Sequence, residues 1–181
     1  MFENLLSKVV SGIVSFSMLL LSSYRGNDAD FSEITAKKLS SGILIQTNLQ
    51  NAFENDFEQV FKCGQEINVF FELKIRSKND KEFSQIFRHS VKFFPMRQYY
   101  SVFLEEAKKH WETDNFEEMK KIISRFEFEF YQNLSSETEI EISAFLPKIS
   151  LDSSEKKFDL MMLWNFKKPK IKKRVKIKNE I

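Results

Sequence analysis

EINVFFELKIR, residues 66–76, fits a strand and not a helix. Ile67, Val69, Phe71, Leu73 and Ile75 alternate with Glu66, Asn68, Phe70, Glu72, Lys74 and Arg76. A period of two over that length puts one face in a core and leaves the other largely wet. SKNDK, residues 77–81, is a turn sequence, and Phe83, Phe87, Val91 and Phe93 continue the alternation on a second strand. Pro95 ends that strand, and residues 99–104 form a third, which makes an antiparallel meander.

On the N-terminal side, residues 34–49 read as extended, with Gly42 permitting a bulge or turn. Asn51 and Glu54 stand at capping-box spacing, so a helix is expected from Asn51. Phe53, Phe57, Val60 and Phe61 fall on its inner face, and Gly64 closes it. On the C-terminal side, Asp114 and Glu117 mark a second helix with a stripe of Phe116, Met119, Ile123 and Phe126. Phe126, Phe128 and Phe130 begin another extended piece, a loop follows, and Ile140 and Ile142 alternate with Glu139 and Glu141. Pro147 marks a break, and Phe158, Leu160, Met162, Trp164 and Phe166 read as a last apolar alternation. The expected fold is α+β, a mostly antiparallel β-sheet or sandwich of six to eight strands with two short helices.

Residues 5–23, LLSKVVSGIVSFSMLLLSS, differ from everything after them. They carry one charge, Lys8, and an apolar run over residues 9–21, and the chain then turns abruptly polar. That is the layout of a secretory signal peptide, cut after Ser22 or Ser23. The stretch is also just long enough to remain as an N-terminal membrane anchor helix, with Lys8 held on the cytoplasmic side. The expected organisation is a signal peptide or anchor at 1–23, a single domain at 24–166 and a basic C-terminal tail at 167–181.

Hydrophobic residues make up 42% of the chain and charged residues 30%, so a packed core rather than disorder is expected. A single cysteine, Cys63, rules out an internal disulfide and reads as a buried structural thiol. The net charge of +2 is unevenly spread: KKPKIKKRVKIK, residues 167–178, holds eight basic groups and no acid, which leaves an acidic body. Lys167, Lys168, Lys170, Lys172, Lys173, Arg174, Lys176 and Lys178 are therefore candidates for contact with an anionic surface. Phe70 and Ile86 interrupt polar strand faces and are candidates for a protein contact.

The usual catalytic and cofactor patterns are missing from the sequence. The four glycines are isolated, so no phosphate-cradling loop is formed. His89 and His110 are the only histidines, and with one cysteine they lack metal-ligand spacing. His89 has the inward parity of its strand and reads as a hydrogen-bonded core histidine, with a hydrolase-like site around it as the rival. His110 reads as surface, and the adjacent carboxylates Glu105 and Glu106 read as a solvated face. Neither a metal nor a small-molecule cofactor is expected, and nucleic acid is not an expected partner because the tail has no interleaved aromatics for base stacking.

GILIQTNL, KCGQ, INVFFELKIRSK, FRHSVKFF, YYSV, NFEEMKKIISRF and LWNF occur in an order that resembles a bacterial exported family catalogued as domain of unknown function 4390. This chain has SKNDK where that family carries an aromatic-rich turn. The resemblance implies an exported, envelope-associated, periplasmic domain and supplies no catalytic residues. The expected function is that of a non-catalytic binding or structural module of the cell envelope, with an envelope protein or an anionic membrane surface as its partner.

Overall fold

The computed structural model describes residues 26–40, 42–55, 57–77, 82–131, 137–150 and 157–176. The apolar N-terminal segment, most of the SKNDK turn, most of the loop before Glu137, and Lys178 lie outside the described residues. The chain is a mostly antiparallel β-sheet protein with two short helices.

The strand built from residues 66–76 is β4 (Ile67–Ser77), at the centre of a six-stranded sheet. β5 (Phe83–Phe94), β6 (Tyr99–Leu104) and β7 (Lys109–Thr113) follow on one side. β9 (Glu137–Phe145) and β12 (Lys170–Lys176) lie on the other. In a second, smaller sheet, β3 (Gly42–Gln50) pairs with β1 (Asp30–Phe31), β2 (Thr35–Leu39) and β8 (Arg125–Phe130). β10 (Lys148–Ser150) and β11 (Lys157–Asp159) form a small separate ladder. All these pairings are antiparallel.

The inward residues of β4 are all buried, as are Phe87, His89, Val91 and Phe93 of β5 and Ile140, Ile142 and Ala144 of β9. They meet the aromatic row of β8 across the gap between the sheets. Phe71 stacks on Phe126 at 5.4 Å, Phe87 lies 4.8 Å from Phe128, and Phe83 lies 5.0 Å from Phe130. Gly42 is needed because the backbones of β3 and β8 approach so closely: a Cβ there would lie 2.1 Å from the Phe130 carbonyl oxygen.

Two helices fill one end of the gap. α1 (Phe57–Phe61) buries Phe57, Val60 and Phe61 against Phe53, whose ring also packs on Trp164. Asn51 does not start this helix, because its φ of 53° places it in a left-handed turn before it. α2 (Phe116–Ser124) packs against β6 and buries Met119 and Ile123. Its cap is Asn115, one residue past the expected Asp114: the Glu118 N–H donates to Asn115 Oδ1 at 3.0 Å. The helix ends before Phe126, which lies on β8.

Two sequence expectations differ from the structure near the C-terminus. Residues 160–164 form a 3-10 helix rather than a strand, capped by Asp159. Leu160, Leu163 and the fully buried Trp164 point inward, and the Trp164 indole N–H donates to the Ala52 carbonyl at 2.8 Å. Phe166 is no core residue; it is 69% exposed. In addition, residues 170–176 are no separate tail, since they form β12 and pair with β9 from Lys170 opposite Ser143 to Lys176 opposite Glu137. Ile171 and Val175 pack against the core from this strand.

Removing residues 170–181 takes away the half-buried Ile171 and Val175 and uncovers β9. It is expected to cost several kcal/mol, at about 25 cal/mol per Å² of apolar area exposed. A thermal melt of the shortened chain should show a collapsed or much lowered transition. An unchanged melting temperature would overturn the strand assignment.

Candidate functional site

Phe70, Ile86, Lys168, Lys170, Lys172 and Arg174 gather on the outward face of the six-stranded sheet. Register explains why. Outward positions of β12, β9 and β4 stand side by side: Lys172 beside Glu141 beside Lys74, and Arg174 beside Glu139 beside Arg76. Opposite charges on directly facing positions attract, so a basic strand completes an acidic neighbour.

The ion pairs follow that register. Lys170 Nζ lies 2.6 Å from Glu141, and Lys172 Nζ lies 2.8 Å from Glu141 and 3.4 Å from Glu139. Arg174 reaches Glu139 at 3.6 Å, and Arg76 bridges Glu82, Glu139 and Glu141. Lys168 binds Glu72 at 2.8 Å while its ammonium lies 5.0 Å from the Phe145 ring centroid. Lys173 faces the other way and ties the two sheets together at their edge, donating to Glu33 at 2.5 Å and to the Ile34 carbonyl at 2.8 Å. Lys167 meets Asp28 at 2.7 Å. Lys176 ends β12 opposite Glu137, and Lys178 lies outside the described residues. The basic cluster is therefore mostly spent inside the molecule.

These pairs shift the carboxylates. Hydrogen bonds from Lys168 and Lys74 pull Glu72 down to about 2. Burial alone would raise Glu141, but Lys170 and Lys172 outweigh it and hold the carboxyl at about 2. Glu139 is lowered as well, first by Lys172 and then by Arg174. Phe70 is half-buried, stacked on Phe145 at 5.2 Å, and Ile86 is 51% exposed opposite Glu72. A cleft of about 640 Å³ at the far end of this face is lined by Val175 and by Arg76, Glu139 and Arg174, whose charges already answer one another.

The second arrangement was not legible in the sequence. The turn between β6 and β7, with Lys108 at φ 51°, carries Glu106 inward until its side chain is 1% exposed. Glu106 is thus not part of a solvated face, whereas its neighbour Glu105 is exposed and accepts the Arg88 N–H at 2.8 Å. Both Glu106 oxygens lie 3.0 Å from His89 Nε2, and His89 Nδ1 lies 2.7 Å from the Ile123 carbonyl oxygen. A carbonyl only accepts, so Nδ1 carries hydrogen and donates. The carboxylate closes off Nε2 at hydrogen-bond distance. Neither ring nitrogen has a lone pair open to a substrate, and His89 is fully buried with its ring 4.3 Å from Phe71. The adjoining cavity, lined by Glu106, Trp111 and Arg125 among others, holds about 120 Å³, well below the roughly 300 Å³ at which small-molecule pockets begin. The pair fastens β5, the β6–β7 turn and the end of α2 together.

His110 lies on β7, exposed, with its ring 4.6 Å from Phe103. Cys63 is buried, which pushes its thiol up and makes it a poor nucleophile. Among the described residues no group of three His, Cys, Asp or Glu side chains is placed to hold a metal ion.

Two outcomes are expected. Glu72 and Glu141 ionise far below their ordinary value of 4.5, so the stability they contribute is complete above about pH 4.5 and is lost as pH falls toward 2. Urea midpoints measured from pH 6 down to pH 3 should drop, and Glu141→Gln should flatten the drop; an equal drop in both proteins would refute the pairing. For the buried pair, Glu106→Gln should cost under about 1 kcal/mol, because its amide donates to a bare Nε2, whereas Glu106→Leu should cost about 3–5 kcal/mol by stranding the ring. Equal losses in urea unfolding would show that Glu106 does not satisfy His89.

No known family, curated protein or solved structure matches the chain.

Proposed function

We propose that the chain is an exported, envelope-associated domain that works by contact, as a binding or structural module rather than an enzyme. The observation that carries this reading is the apolar segment at residues 5–23, with its single flanking Lys8, placed directly before a β-rich domain that begins by Gly26. Among the described residues, the buried pair with catalytic residue types, His89 and Glu106, has its hydrogen-bonding capacity consumed by structure, which supports a non-catalytic role. The partner is an envelope protein or the membrane itself.

Fractionation of the tagged full-length chain tests this. It should leave the cytosol, with an N-terminus at Ser23 or Tyr24 if the segment is removed and at Met1 if it is kept as an anchor. Intact Met1 on a soluble cytosolic protein would overturn the proposal.

A further inference from the structure

Residues 165–168, NFKK, form an exposed knuckle between two buried residues, Trp164 and Pro169. Its backbone is tied by local hydrogen bonds. Asn165 and Phe166 both take left-handed backbone conformations, with φ of 52° and 57°. The Phe166 N–H donates to the Met161 carbonyl at 2.8 Å, and the Lys167 N–H to the Trp164 carbonyl at 2.8 Å. A bulky residue at positive φ is an outlier that the surroundings must enforce. Here the enforced geometry turns an aromatic ring out to 69% exposure, followed by two lysines.

The N-terminal segment enters the domain at this same point. Gly26 packs directly on Asn165, so closely that a Cβ on Gly26 would lie 2.3 Å from Asn165 Oδ1. The Asn27 N–H then donates to the Leu163 carbonyl at 2.7 Å. Only Tyr24 and Arg25 separate Ser23 from Gly26. At no more than about 3.6 Å per residue, the three steps from Ser23 to Gly26 can span no more than about 11 Å. The headgroup layer on each side of a bilayer core is roughly 5–8 Å thick. Aromatic and basic side chains favour that layer.

We propose that residues 165–168 are a membrane-contacting element. With residues 5–23 embedded in an anionic bilayer, Phe166 enters the headgroup layer and Lys167 and Lys168 meet lipid phosphates. This rests on the export reading and selects its anchored form. Lys167 is free to do this because its pair with Asp28 is exposed at both ends and weak in water. Lys168 holds Glu72 and lies over Phe145, so it contributes from a fixed position at the rim.

The test uses the full-length chain in vesicles of phosphatidylethanolamine and phosphatidylglycerol. Phe166→Cys carries an environment-sensitive fluorescent label, and Tyr131→Cys carries it at the opposite end of the sheets, where Tyr131 is 66% exposed. Cys63 is buried and stays unlabelled. The expected result is a blue shift, with quenching by a headgroup-level nitroxide lipid, at position 166 and neither effect at 131. Vesicle-bound protein with equal signals at both positions overturns the contact and leaves the export reading standing. An exported chain that begins at Tyr24 and does not float with vesicles does the same. A soluble cytosolic chain with intact Met1 overturns both.

Discussion

Phe71 touches Phe31 at 6.2 Å, His89 at 4.3 Å and Phe126 at 5.4 Å, and so meets β1, β5 and β8 from one position on β4. Those contacts join the small sheet to the large one, and β4 is itself hydrogen-bonded on both sides by β5 and β9. Because the side chains of a strand alternate, fixing Phe71 inward also fixes Ile67, Val69, Leu73 and Ile75 inward. It equally fixes Phe70, Glu72, Lys74 and Arg76 outward, and so determines which charges the neighbouring strands must answer. The core and the charged face are two results of one register.

The charged face shows why a strongly basic segment does not make a free arm here. β9 brings Glu139 and Glu141 to the outward side, where β4 answers them with Lys74 and Arg76 on one flank only. β12 supplies Lys170, Lys172 and Arg174 on the matching parity and Ile171 and Val175 on the inner one. Lys173 takes an inward position, yet its stem is long enough to carry the ammonium to the small sheet at Glu33. Charge asymmetry between the body and the end of the chain is thus a pairing device, and the net charge of either half alone says little about what it binds.

The parts of the fold legible in the sequence are those where hydrophobic periodicity was uninterrupted. β4 announces itself through five alternating apolar residues, β5 through four and β6 through three, and Pro95 sets a boundary. β12 hides because Lys173 interrupts its apolar parity and the charge of its neighbours dominates the composition. LMMLW, residues 160–164, carries apolar residues at spacings compatible with more than one period, and the cap at Asp159 decides for a 3-10 turn. KHWET is too short and polar to read as a strand, although β6 pairs with it. Glu106 was illegible for a different reason: its orientation depends on a turn whose shape only the packing of β6, β7 and α2 defines, and its partner lies 17 residues away. The outward face was readable residue by residue, but its neutralisation was not, because pairing across strands is information that no local window holds.

The position of β12 also bears on the order of events in synthesis. Its partners are β9 and, through Lys173, the Glu33 and Ile34 backbone near the start of the domain. A nascent chain therefore emerges with its first edge waiting for a strand about 140 residues later. Closing so long a loop is entropically slow compared with local pairing. Until β12 has been made, β9 has a neighbour on one side only, and Glu139 and Glu141 have Arg76 but lack Lys170, Lys172 and Arg174. A domain so built cannot close this edge until its last strand has been made.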